Sequence, residues 1–240
     1  MDRFKKSKEV FNNLFGELPM NEKDPELMEI LRRFIFGDVF HTGKLDMKTR
    51  ELITITTLAV MQTLPQLKGH LYGAMNAGAT PIEIREVIYQ LAPFIGFPRT
   101  LNAVSVMDEV FEEKKIPLPL ENMGTVTEES RFEKGNAIQK PIYGDEIKDR
   151  YKDVPAVPKF LTEFGFGDFY TRKGLDIKTR ELLILVTLTV LNQTGAVKSH
   201  IQGNLKVGNS KEIMIDAMIQ YIPYIGFTPC FATLNQILEI

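Results

Sequence analysis

The chain has 240 residues, 44% of them apolar, a formal net charge of −2 and a single cysteine, Cys230. That length supports one large domain or two ordinary ones. The dispersed charge offers no basic stripe for a phosphate backbone, and one thiol excludes both an internal disulfide and any multi-cysteine metal site. The longest apolar runs, such as 182–191, reach about half of a bilayer crossing and are interrupted by Thr187 and Thr189. The start, Met1-Asp2-Arg3-Phe4-Lys5-Lys6, is charged and does not resemble a secretory signal. The expectation is a cytoplasmic protein, held together by packing, with no nucleic-acid or membrane partner.

In chain order, Asp24-Pro25-Glu26 reads as an N-cap followed by proline at the first helical position. Leu27, Ile30, Leu31 and Phe34 then recur at helical spacing, predicting a helix to about Phe40. Asp46 caps the next helix, which carries Leu52, Ile55 and Ala59 and is apolar on most faces. The segment around His70 ends at Gly78, and Thr80-Pro81-Ile82-Glu83 has the pattern of a capping box. Pro93 marks a kink or an end, with Gly96 three residues on, and Leu101, Val104, Met107, Val110 and Phe111 stripe a closing helix. Between Ile116-Pro117-Leu118-Pro119-Leu120 and Arg131 the apolar periodicity is broken by prolines, Gly124 and polar residues, which reads as a linker. Nothing alternates with period two, so the predicted class is all-α.

Beyond the linker the pattern returns. Leu45-Asp46-Met47-Lys48-Thr49-Arg50-Glu51-Leu52 reappears as Leu175-Asp176-Ile177-Lys178-Thr179-Arg180-Glu181-Leu182, an offset of 130 residues. At the same offset His70 matches His200, Gly73 and Gly78 match Gly203 and Gly208, Pro93 matches Pro223, and Ile95-Gly96-Phe97 matches Ile225-Gly226-Phe227. Arg3-Phe4-Lys5-Lys6 matches Arg131-Phe132-Glu133-Lys134 at an offset of 128, so the duplication includes the N-terminal segment. So long a period indicates paired domains, not a solenoid: modules at 1–116 and 129–240 with a linker at 117–128.

The strings Phe36-Gly37-Asp38-Val39-Phe40, Lys48-Thr49-Arg50-Glu51-Leu52-Ile53-Thr54, Leu67-Lys68-Gly69-His70-Leu71, Asn76-Ala77-Gly78-Ala79-Thr80, Glu83-Ile84-Arg85-Glu86-Val87-Ile88 and Ile95-Gly96-Phe97-Pro98 stand in one order. In that order they resemble the carboxymuconolactone decarboxylase family, over nearly all of the first copy. The second copy keeps Gly167-Asp168, Arg180-Glu181, His200 and Gly226 but loses much of the rest. The resemblance implies a helical fold related to alkylhydroperoxidase D, with the two modules packed as a pseudo-dimer. Because such modules commonly form rings, it also implies a homotrimer of two-module chains forming a pseudo-hexamer.

The alkylhydroperoxidase branch depends on a Cys-x-x-Cys pair before the matching histidine, and here those positions are Thr63 and Gln66 in one copy and Gln193 and Ala196 in the other. A dithiol mechanism is excluded, and a peroxide-reducing role would rest on Cys230 alone. The decarboxylase branch implies no cofactor. It asks for a cation that orients a substrate carboxylate and stabilises enolate-like charge, and for a proton donor that quenches the carbanion. On the resemblance and this chemistry the candidate catalytic residues are His70 as acid, Arg50 as cation and Glu51 tuning the histidine, with His200, Arg180 and Glu181 in the second copy. The expected reaction is a decarboxylation or isomerisation of a small carboxylated lactone or related cyclic acid.

The same residues have structural readings. An Arg-Glu pair after a helix cap can form an interhelical salt bridge, a histidine on a helix with Leu67, Leu71 and Met75 can be a hydrogen-bonded core residue, and Asp38 and Asp168 read as turn or cap residues. His41 has no counterpart, since Thr171 stands there. No metal-ligand spacing, phosphate loop or nucleophile elbow is present, so no metal is expected. A ligand-binding or scaffold protein that kept the fold without the chemistry is the competing class. Convergence of His70 and Arg50 on one pocket favours an enzyme, and their separation favours the binding or structural reading.

Overall fold

The computed structural model describes residues 2–16 and 23–240. Among these residues there are helices and connections and no strand, as the periodicity predicts.

The first module opens with α1 (Arg3–Phe15), which buries Ser7, Val10 and Leu14. Next comes α2 (Pro25–Arg32), with proline in its first turn as expected but without a side-chain cap from Asp24. The predicted long helix does continue to His41, but its winding changes: Arg33–Asp38 is π-helical and Val39–His41 is 3-10. The wide turn lies under α1, and Gly37 is where the two backbones meet, since a Cβ there would stand 2.8 Å from the Arg3 carbonyl. The second copy repeats the device in a π-helical segment, Leu161–Tyr170, beneath α8 (Arg131–Tyr143), with Gly167 placed against the Arg131 carbonyl. π-Bulges of this kind often accompany functional sites. Arg3 pairs with Asp38 at 2.6 Å and Arg131 with Asp168, so both aspartates tie the opening helix of their module to the π segment.

The centre is formed by α3 (Met47–Met61) and, in the second module, α11 (Ile177–Val190), which pack against each other. Asp46 and Asp176 accept from the backbone amides of Thr49 at 2.7 Å and Thr179 at 3.0 Å, capping these helices as predicted. Beyond the first turn nearly every side chain is buried, Ile53, Ile55, Leu183 and Leu185 completely. Each such residue contributes on the order of 1.5–3 kcal/mol, which is why this stretch has no polar face.

Around this pair stand α4 (Leu64–Asn76), α5 (Pro81–Tyr89), the short α6 (Ala92–Ile95) and α7 (Phe97–Glu113). The Thr80–Glu83 capping box is complete, with hydrogen bonds of 2.7 and 3.1 Å. The second module adds α9 (Glu146–Arg150) and α10 (Ala156–Phe160), then α12 (Thr194–Val207), α13 (Lys211–Ile225) and α14 (Phe227–Leu238). Pro93 sits just past a break between α5 and α6, whereas Pro223 is accommodated in the last turn of the unbroken α13. Between Glu113 and Arg131 no helix forms. This segment is nonetheless packed: Lys173 donates to the Met123 carbonyl at 3.0 Å and Thr125 to that of Thr171 at 3.0 Å.

Candidate active site

Arg50 and Glu51 are consecutive on α3, so their side chains diverge by about 100° around the helix. Glu51 faces α4 and is fully buried; its Oε2 lies 2.9 Å from Nδ1 of His70. With Nδ1–H donated to the carboxylate, Nε2 is left as the ring's free nitrogen. Gly73, one turn beyond His70, makes the approach possible, because a Cβ there would stand 2.9 Å from Glu51 Oε2. The imidazole is held edge-on between Phe15 at 5.2 Å and Tyr224 at 5.5 Å, so α1 and the second module's α13 both wall the site.

His70 opens onto a cavity of about 410 Å³ whose apolar walls include Phe11, Phe15, Ile35, Phe36, Leu58 and Met61. This is the size of a small-molecule site. Its polar contributions come from Thr63, Gln66, His70 and Tyr224, with Pro223 beside them. Thr63 and Gln66 stand where the redox branch would carry its thiols. No arginine or lysine is among the described residues that line the cavity.

Arg50 is accordingly not in this site. It is 2% exposed and donates to the carbonyls of Leu45 at 3.0 Å, Val39 at 3.1 Å and Thr42 at 2.6 Å, and to Gln220 Oε1 at 3.0 Å. Burial holds its pKa below the ordinary arginine value, opposed by Asp216 and Asp46. Arg180 behaves likewise in the second module, donating to Gln90, Glu86 and the backbone carbonyls of Arg172 and Lys173. The two arginines join the modules, and the structure brings together only the His-Glu pairs of the predicted triads.

The second pair is built differently. Tyr143 occupies the position of Phe15 and Tyr170 that of Phe40. Tyr143 donates to Glu181 Oε2 at 2.6 Å and lies 2.7 Å from Nδ1 of His200, which is itself 3.2 Å from the same oxygen. Tyr170 donates to Oε1 at 2.7 Å. Burial first, and the Glu181 charge second, push both phenol pKa values well up, so both remain protonated donors. Glu181 is thus saturated, whereas Glu51 Oε1 is buried with no hydrogen-bond partner among the described residues. The tyrosines escape a reading that looks for titratable motifs. Their signal in the sequence is the Phe-to-Tyr exchange at offsets of 128 and 130.

His41 is exposed. Cys230 is fully buried, its thiol facing the Met218 carbonyl at 3.5 Å, and burial raises its pKa to about 11. The described residues hold no His, Cys, Asp and Glu group suited to a metal ion, and no helix is long and apolar enough to cross a membrane.

Fold and site together define a duplicated helical module in which a histidine, paired with a buried carboxylate, faces an apolar cavity. The profile of the carboxymuconolactone decarboxylase family matches residues 25–109 and 155–238, and the chain belongs to that family. Among its relatives, 4-carboxymuconolactone decarboxylase of Acinetobacter baylyi is 28% identical over 118 residues, 46% of this chain and 88% of that protein. An uncharacterized 15.0 kDa protein of Paracoccus denitrificans is 40% identical over 102 residues, 42% of this chain and 76% of its own length. The nitrosuccinic acid decarboxylase of Metarhizium robertsii is 29% identical over 85 residues, 35% of this chain and 59% of that protein. A crystal structure from Burkholderia xenovorans, provisionally assigned as a gamma-carboxymuconolactone decarboxylase subunit, shares the fold. It has a TM-score of 0.63 and 21% identity, over 100% of this chain and 96% of that one.

Proposed function

We propose that the chain is a cofactor-independent lyase, or a related isomerase, acting on a small carboxylated lactone or cyclic acid in the first module's cavity. The observation that carries this reading is the 2.9 Å contact of His70 Nδ1 with Glu51 Oε2 in the wall of that cavity. A buried carboxylate on Nδ1 orients the ring and stabilises the imidazolium, so Nε2 can hold and deliver a proton to the cavity. In a decarboxylation the C–C bond electrons pass to the ring carbonyl as carbon dioxide leaves, and His70 protonates the resulting carbanion. The relatives named as decarboxylases of carboxylated small molecules agree with this class of substrate.

With Arg50 and Arg180 engaged between the modules, stabilisation of the developing charge falls to the imidazolium and to Thr63, Gln66 and Tyr224. That separation is also what favours the competing reading, a ligand-binding member of the fold. In the second module the tyrosines saturate Glu181, so we assign catalysis to the first.

The test is an assay of the purified chain with carboxymuconolactone and a small panel of lactone acids, following ring absorbance and carbon dioxide release. His70→Ala abolishes turnover and His200→Ala leaves it within about twofold. Binding of the panel without turnover would establish the binding module instead. The trimeric ring remains part of the proposal. Apolar residues are exposed at equivalent positions of both modules, Ile30 with Phe160 and Leu101 with Phe231, as a repeated interface requires. A monomeric mass in light scattering would sink it.

A further inference from the structure

Away from the His70 cavity, the junction of the modules carries uncompensated positive charge. Glu86 on α5 is fully buried and meets three guanidinium groups: Arg172 Nε and Nη2 at 2.8 and 2.9 Å, Arg180 Nη2 at 3.3 Å and Arg85 Nη2 at 3.2 Å. Beside this cluster lies a cavity of about 610 Å³ lined by Arg85, Arg172, Tyr89, Asn122, Asp108 and the linker residues around Pro119. Both lining arginines pack against Tyr89, their guanidinium carbons each standing 5.5 Å from its ring centroid. The Arg85 side chain is 7% exposed. Its Nη2 also reaches the Glu121 carbonyl at 2.8 Å, while its Nε is buried with no partner among the described residues. An orphaned buried guanidinium N–H is costly unless an acceptor arrives.

The duplication supplies an internal control. At the equivalent junction Ile215 stands for Arg85, Thr42 for Arg172 and Asp216 for Glu86. There Asp216 accepts from the Lys44 amide at 2.7 Å, and Arg50 reaches across to the second module through Gln220. Fastening the modules therefore does not need Arg85 and Arg172. We propose that the cavity between α5, the linker and Arg172 binds a small oxyanion, taken by the free edges of these two arginines. A planar guanidinium fork suits carboxylate and phosphate alike. Asp108, which faces the same cavity, opposes the anion and limits its affinity. The site is independent of the chemistry assigned to His70.

The experiment is isothermal titration calorimetry of the full chain with inorganic phosphate and, separately, succinate, at constant ionic strength. At least one anion binds saturably to the wild type, Arg85→Gln weakens it about tenfold or more, and Asp108→Asn tightens it. The gain cannot come from a misfolded variant. His70→Ala binds as the wild type does. The anion that binds identifies phosphate or carboxylate as the ligand class. Absence of saturable binding of either anion up to about 20 mM, or unchanged binding in Arg85→Gln or Asp108→Asn, overturns the proposal.

Discussion

Replacing Glu86 with alanine removes the carboxylate that, among the described residues, pairs with Arg172, Arg180 and Arg85. Arg180 is 1% exposed and Glu86 is completely buried, so solvent screens this cluster little. Breaking a buried ion pair by deleting one partner costs about 3–5 kcal/mol, because a charge is left unpaired in the interior. With three guanidiniums deprived at once, Glu86→Ala belongs at the upper end of that range. The equivalent residue provides the comparison: Asp216 is 8% exposed and accepts a single backbone N–H, from Lys44. Its removal orphans one amide and costs about 1–3 kcal/mol, while Arg50 keeps its four oxygen acceptors. Urea unfolding followed by far-ultraviolet circular dichroism, in phosphate-free buffer, measures both variants. For a chain of this length Glu86→Ala lowers the thermal midpoint by on the order of 10 °C. A loss below about 1 kcal/mol, or one no larger than that of Asp216→Ala, would refute the reasoning, since the guanidiniums would then be satisfied without the carboxylate.

Phe40→Tyr rebuilds in the first module the contact that Tyr170 makes with Glu181 Oε1. A hydroxyl reaching the unpartnered Glu51 Oε1 stabilises the fold by about 1 kcal/mol and, by holding the carboxylate, lowers turnover; denaturation and the lactone assay read the two effects, and unchanged stability would contradict the equivalence. Burial raises the Cys230 thiol from 9.0 to about 11, so the folded chain binds this proton more tightly than the unfolded chain. Its contribution to stability is intact below the unfolded value and is lost as pH rises from there through the folded value. The buried phenols of Tyr143, Tyr170 and Tyr224 shift in the same direction, mainly by burial. Stability therefore falls in alkali, and a chromogenic disulfide reagent at about pH 8 finds the thiol unreactive until denaturant is added; rapid reaction of the native chain would contradict its burial.

Much of the architecture is legible in the sequence because it rests on local chemistry. The Asp46 and Asp176 caps, the Thr80–Glu83 box and the apolar central helices each follow from a few adjacent residues. The winding of Arg33–Asp38 is not, because it is imposed by α1 lying across the segment at Gly37. The site divides along the same line. Glu51 and His70 lie on two neighbouring helices, and Gly73 and Gly203 repeat because both modules need the same close approach. Arg50 could have been separated from Glu51 on geometry alone, since consecutive helical residues cannot face one pocket. The tyrosines are invisible to a motif search because Phe15 and Tyr143, or Phe40 and Tyr170, fill the same volume and differ by one oxygen. Duplication gives that oxygen its meaning. Both modules must pack, so the apolar positions agree, while the added oxygens decide whether the carboxylate behind each histidine is saturated. Local rules of polar satisfaction are broken where a site needs them broken. Here the unsatisfied Glu51 lies beside the cavity while Glu181, with the same neighbours and two added hydroxyls, obeys the rule.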